Sequence, residues 1–254
     1  MPKIKLTKQV TLDLSGTSSN LLIVGPTGSG KTFLLYHLLL SLYAQKCLVY
    51  CVDFKSGSLY SLIKYNTPNG EHFSANTSDE FEEILDEIIE TISKRFQRLS
   101  DPSAPLDVIY TDLEPQDKPV YLFIDEYSSA LAPILANKET KAQGNRINAK
   151  MMKIIQLIRQ ASGGVILSFQ KMSADILPTT ITDNMAKIGL GNLSTPSKIQ
   201  LFGKAVDLPL ADMSLQGAGY LQRPTDPKPV WFQVPDLSDM DFREVLERLT
   251  KEKD

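Results

Sequence analysis

Leu21-Leu-Ile-Val-Gly-Pro-Thr-Gly-Ser-Gly-Lys-Thr32 is the stretch that decides the fold. Its first four residues are an unbroken apolar run, the pattern of a strand buried on both faces. Gly25 to Thr32 fit G-x-x-x-x-G-K-[ST], and the apolar stretch Phe33 to Tyr43 predicts a helix opening out of that loop. Phosphate binding requires these residue types. Gly25, Gly28 and Gly30 let the backbone wrap closely, while Pro26, Thr27 and Ser29 fill the remaining turn positions, so that successive N–H groups face an anion. The helix start adds its positive dipole end. Lys31 is the expected partner of the β- and γ-phosphates, and Thr32 the hydroxyl ligand of Mg²⁺. ATP with Mg²⁺ is the expected ligand pair.

A second apolar run, Val120-Tyr-Leu-Phe-Ile124, ends in Asp125-Glu126. A central strand that delivers two carboxylates to its C-terminal edge places them where α/β ligand sites lie. Asp125 is the expected metal ligand, and Glu126 the group that polarises a water attacking the γ-phosphate. Gln170 closes Val165-Ile-Leu-Ser-Phe-Gln170, another strand, where a neutral amide can touch the γ-phosphate or the lytic water. Arg159 precedes that strand late in a helix; its guanidinium suits bidentate phosphate contact, but by sequence alone helix-dipole pairing or a surface ion pair is the stronger reading. His37 and His72 have no partners at metal-ligand spacing.

The rest of the chain sets these motifs in an alternating β/α order. Cys47-Leu-Val-Tyr-Cys-Val52 and Ala186 to Leu190 read as further strands, and the two cysteines as core. Thr77-Ser-Asp-Glu80 is a capping box for a helix striped by Phe81, Ile84, Leu85, Ile88, Ile92, Phe96 and Leu99, closed by Pro102 and Pro105. Polar residues 137–150 are expected to be a mobile excursion before a helix from Met151 to Gln160. Gly219–Gln222 and Val230–Val234 predict a hairpin, and Phe242, Val245, Leu246 and Leu249 a final amphipathic helix. The expectation is an α/β P-loop fold of RecA type, a mostly parallel sheet between helices. It is expected as a single motor domain over 1–254: N-terminal strands to 19, core over 20–236 and a terminal helix over 237–254.

The 254 residues are 42% hydrophobic and 22% charged, which excludes disordered, collagen-like and disulfide-scaffold classes. With Lys+Arg at 27 against Asp+Glu at 30, the net charge is -3, so no global basic field points to nucleic acid and any polyanion site must be local. No apolar run reaches the ~18 residues of a membrane span, and the start lacks a signal-peptide core. A cytoplasmic location is expected.

The ordered set of motifs resembles the motor domain of the FtsK/SpoIIIE family of DNA-pumping ATPases, in its conjugative coupling-protein branch. The resemblance runs from about Val10 to Pro235. It rests on Leu21–Thr32, Asp53-Phe-Lys55 (similar to the family's Asp-Pro-Lys, with Phe54 in place of proline), Tyr121–Glu126, Arg159-Gln-Ala-Ser-Gly163, Leu167-Ser-Phe-Gln170, Leu190–Ser194, Leu201-Phe-Gly203 and Gly217–Tyr220. It implies that Gln170 senses the γ-phosphate and that Arg159 acts as a finger on a neighbouring subunit's ATP. It further implies a homo-oligomeric, hexameric ring that moves DNA, with a relaxase or secretion-system partner. Lys55, Lys64, Lys141, Arg146, Lys150 and Lys171 are the candidate loop cations that would grip it. An ATP-switched assembly factor that recruits such a partner without pumping stays open as an alternative. A small-molecule kinase fits less well, since Glu126 favours water as the nucleophile and kinases exclude water.

Overall fold

Side-chain alternation along the buried strands builds two cores, one on each face of a sheet. In the computed structural model, which describes residues 2–14, 16–172, 177–204, 206–209, 212–213 and 215–251, Leu21 and Ile23 face one core while Leu22 and Val24 face the other. A one-residue slip would exchange the two sets, so the register is fixed.

The chain opens with an antiparallel pair, β1 (Lys3–Lys5) and β2 (Thr11–Asp13), in which Ile4 lies opposite Leu12. A 3₁₀ turn at Gly16–Ser18 leads to β3 (Leu21–Val24), the glycine loop and α1 (Lys31–Ala44). Next come β4 (Leu48–Val52), α2 (Ser58–Asn66), the short β5 (Ser74–Ala75) and the long α3 (Ser78–Leu99). The capping box forms as the sequence expects: Thr77 Oγ1 accepts from the Glu80 amide at 3.3 Å, and Glu80 Oε2 accepts from the Thr77 amide at 3.1 Å. A short α4 (Tyr110–Leu113) precedes β6 (Val120–Ile124), α5 (Tyr127–Ala136), α6 (Lys141–Leu157) and β7 (Gly163–Phe169). The chain finishes with α7 (Thr179–Thr182), β8 (Ala186–Leu190), α8 (Thr195–Phe202), the hairpin β9 (Ala218–Gln222) and β10 (Val230–Gln233), and α9 (Phe242–Lys251).

Eight strands form one sheet in the order β10-β9-β8-β3-β7-β6-β4-β5. From β8 to β5 every pairing is parallel, and only the β9–β10 hairpin at one edge runs antiparallel to its neighbours. This is the α/β, mostly parallel P-loop architecture read from the sequence. Helices α3, α5 and α6 cover one face; α1, α2, α9 and the β1–β2 pair cover the other. Cys47 and Cys51 are buried in the second core. Among the described residues no helix is long and apolar enough to cross a membrane.

The expected mobile excursion at 137–150 is corrected: from Lys141 onward this segment is the first half of α6. Ile147 and Met151 are fully buried, and Gly144 lies so close to α5 that a Cβ there would meet Leu135 at 2.9 Å. Arg146 and Lys150 pair with Glu82 on α3 at 2.9 and 3.0 Å, and Lys150 also reaches Asp86 at 2.7 Å. Those two cations are therefore committed to helix packing, not carried on a loop. Lys64 sits on α2 beside the Tyr60 and Tyr65 rings and Glu71, and Lys141 begins α6.

Candidate functional site

Strand β3 ends at Val24, and the loop that follows is anchored from both sides. The Gly25 amide donates to the Phe169 carbonyl at 3.1 Å, and the Ser29 amide closes a turn on the Pro26 carbonyl at 3.1 Å. Gly28 and Gly30 adopt φ of 82° and 90°, a region in which side chains are strained. At Gly30 a Cβ would also meet the Gly217 amide at 2.8 Å, while the Gly217 amide itself donates to the Ser29 carbonyl at 3.0 Å. The segment before β9 thus clamps the loop from outside. The Ser29 hydroxyl is buried with no hydrogen-bond partner among the described residues.

Lys31 begins α1 and extends across the C-terminal edge of the sheet. Its Nζ lies 3.3 Å from Glu126 Oε2 and 3.8 Å from Asp125 Oδ1. Asp125 is fixed by the Ser168 hydroxyl, which donates to Oδ1 at 2.5 Å. Glu126, 6% exposed, has a left-handed backbone (φ 55°) that costs about 1 kcal/mol for a residue with a Cβ. Its surroundings hold it there: its amide donates to Ser168 Oγ at 3.3 Å, Oε1 accepts from the Ser128 hydroxyl at 2.8 Å, and Oε2 accepts from the Gln170 amide at 2.9 Å. Such strain gathers where a side chain must be aimed.

Together these groups line a cleft of about 270 Å³ that also holds Thr32, Gln170, Lys55 and Gln216. Two of those were not assigned to it from the sequence. Gln216 is brought in by the Gly217 turn, which no local motif announces. Lys55, expected among DNA-gripping loops, instead stands in this cleft. Behind it, Asp53 is a third carboxylate, 3% exposed, whose pKa is pushed up by burial and by Asp125, and held down in part by backbone amides.

The donor set fits a nucleotide with a divalent ion. The open glycine loop, where a Cβ at Gly28 would meet nothing within 4 Å, leaves room for phosphate oxygens. Among the described residues no group of three or more His, Cys, Asp or Glu could hold a metal unaided. An ion between Thr32 and Asp125 therefore needs phosphate and water oxygens to complete its shell, the usual habit of Mg²⁺.

Arg159 is not part of this cleft. It is exposed in the turn that follows α6, bordering a separate polar hollow of about 250 Å³ with Ser19, Asn20, Gln156 and Asn184. Ser19 and Asn20 lead into β3, so Arg159 lies at the opposite end of the strands from Lys31, Asp125, Glu126 and Gln170. Its guanidinium has no partner among the described residues.

Residues 1–105 match the FtsK/SpoIIIE family, a stretch that includes the glycine loop and Asp53-Phe-Lys55. No curated protein matches the chain. Among solved structures, the pCW3 conjugation coupling protein TcpA, in its monomer form with ATPγS, superposes with a TM-score of 0.77 at 22% identity, over 97% of this chain and 69% of that one. The cytoplasmic domain of the type VII secretion ATPase EccC from Thermomonospora curvata gives 0.67 at 21% identity, over 97% and 30%. ATPases 2 and 3 of EssC from Geobacillus thermodenitrificans give 0.67 at 15%, over 92% and 44%. The chain thus spans under half the length of each secretion ATPase. At these identities the likeness is one of fold.

Proposed function

We propose that this chain, an FtsK/SpoIIIE-type P-loop ATPase domain, works as one motor unit that hydrolyses ATP to drive DNA through an oligomeric ring in conjugative or plasmid transfer. The observation that carries the ATPase reading is the convergence of Lys31, Asp125 and Glu126 within ion-pair reach at the edge of the parallel sheet. Thr27, Gly28 and Gly30 present their amides to the phosphates, with Pro26 accepting the Ser29 amide in the turn and Gly25 closing the loop on β7. Lys31 leaves its carboxylate partners for the β- and γ-phosphates. A magnesium ion, when bound, neutralises phosphate charge; the Thr32 hydroxyl and Asp125 would hold it. Glu126 orients a water and takes its proton at a carboxylate oxygen. Gln170, whose amide already ties β7 to Glu126, reports the terminal phosphate to the rest of the sheet.

Arg159 acts in trans. What supports this reading is its exposed guanidinium at the far end of the strands from its own cleft. Mixing Lys31→Ala subunits with Arg159→Ala subunits should restore turnover that neither has alone, because a mixed contact pairs an intact cleft with an intact finger. Silence of the mixture, with both variants folded, would refute the finger.

The DNA part of the reading draws on the fold shared with the conjugation coupling protein. DNA-stimulated turnover that falls steeply with salt is its test. One observation favours the rival reading, an ATP-switched factor that recruits a relaxase or secretion partner: Arg146 and Lys150 are neutralised by Glu82 and Asp86, which thins the cations available to grip DNA. If Glu126→Gln kept full biological function, turnover would be dispensable and the rival would stand.

A further inference from the structure

We infer that Lys55 is a second phosphate-binding cation of the nucleotide cleft, held at the terminal-phosphate end by a turn tied to the buried carboxylate of Asp53. The inference rests on the ATP reading of the cleft and adds a positioning device to it.

The turn begins where β4 stops. Asp53 Oδ1 accepts the Lys55 amide at 3.0 Å and Oδ2 accepts the Gly57 amide at 2.8 Å, while the Asp53 carbonyl accepts the Ser56 amide at 3.0 Å. Three successive donors are thereby satisfied by one residue. Ser56 takes a left-handed φ of 49°, and its hydroxyl is held from outside by Asn76 Nδ2 at 2.8 Å. Phe54, where the family has proline, packs edge-on against Phe81 of α3 with ring centroids 6.0 Å apart. Helix α2 starts at Ser58 and fixes the other end. The backbone under Lys55 is therefore rigid on both sides, although its side chain is exposed.

Sheet order gives the direction. Starting from the glycine loop after β3, the strand ends carry Gln170 on β7, Asp125 and Glu126 beyond β6, then Asp53 and Lys55 beyond β4. A triphosphate that enters over the glycine loop runs toward β6 and β4, so its last phosphate meets Lys55. Charge points the same way. Asp53, Asp125 and Glu126 bring three carboxylates to this edge, and Lys31 is already shared between two of them. Lys55 has no ion-pair partner among the described residues and is free to take a phosphate.

The test uses the full chain with Mg²⁺ and titrates ATPγS and ADP separately by calorimetry. Lys55→Ala should weaken ATPγS about ten-fold or more, the loss expected for one charge-assisted hydrogen bond, and leave ADP within about two-fold. Lys55→Arg should keep most of the ATPγS affinity. Asp53→Asn should weaken ATPγS in the same direction, and adding it to Lys55→Ala should cost little more, because Asp53 acts through Lys55. If Lys55→Ala binds ATPγS like the parent while Lys31→Ala does not, Lys55 is no phosphate ligand and the cleft reading survives; loss of DNA binding in that variant would assign it to DNA. If the parent chain itself fails to bind ATPγS, the cleft reading falls, and this inference with it.

Discussion

Replacing Glu126 with glutamine should slow turnover and tighten ATP binding in the same protein. The side chain keeps its shape, and its remaining carbonyl oxygen can still accept the Gln170 amide that now reaches Oε2 at 2.9 Å. What disappears is the charge. Without a general base the chemical step should slow by about 10²–10⁴, or about 2.7–5.5 kcal/mol of barrier. The ground state moves the other way. Lys31 lies 3.3 Å from Glu126 in the unliganded cleft, a gross attraction of about 5 kcal/mol at an effective dielectric near 20. Lys31 must surrender that contact to bind phosphate, and most of the energy is returned by the new partner and by solvent. Removing the competitor should leave about 1 kcal/mol in favour of binding, roughly a five-fold lower Kd. Single-turnover hydrolysis with radiolabelled ATP, beside a fluorescent-nucleotide titration, measures both quantities. Turnover within three-fold of the parent would refute the role of Glu126, and affinity weakened ten-fold or more would refute the competition argument.

Other consequences are as easily measured. ATPγS at about one hundred times its Kd should stabilise the parent by about 2.7 kcal/mol, a rise in Tm of about 5–10 °C, and Lys31→Ala should abolish the rise in scanning fluorimetry. Arg95, 8% exposed, donates to the Ala161 carbonyl at 2.7 Å, to Ser162 at 3.2 Å and to Lys118 at 2.8 Å, and lies over the Tyr110 ring. Arg95→Met should cost about 3–4 kcal/mol in urea unfolding, since the Ala161 and Lys118 carbonyls lose their donor. The Arg146 and Lys150 partners hold the Glu82 carboxyl down at about 2 against an ordinary 4.5. A depressed carboxylate contributes stability that is fully present above its ordinary pKa and is lost as pH falls from about 4.5 toward about 2. Acid unfolding of Glu82→Gln should lack that part of the slope.

How much of this was legible in the sequence depends on whether the signal was local. The glycine loop, the Asp125-Glu126 strand end and the Thr77 capping box each lie within a few residues and folded as read. Segment 137–150 did not, because its helix is specified by what lies beside it: Ile147 and Met151 bury against the sheet, Gly144 seats on α5, and Arg146 and Lys150 answer acids on α3. The site followed the same division. Lys31 and Glu126 come from motifs, whereas Gln216 is delivered by a turn clamped to Ser29. Ser168 did leave a trace, as a polar residue inside an otherwise apolar strand, and its partner is Asp125.

The separation of Arg159 from its own cleft by the length of the strands has a consequence for stoichiometry. Under the proposed trans role of Arg159, each copy would offer an acceptor at one pole of the sheet and a donor at the other, so contacts between copies would be head-to-tail and every added copy would create one new reaction centre. An open row would always end with one cleft lacking its finger. Closing the row would repair that last defect, and so circular assembly would carry a kinetic reward written into the polarity of a parallel sheet.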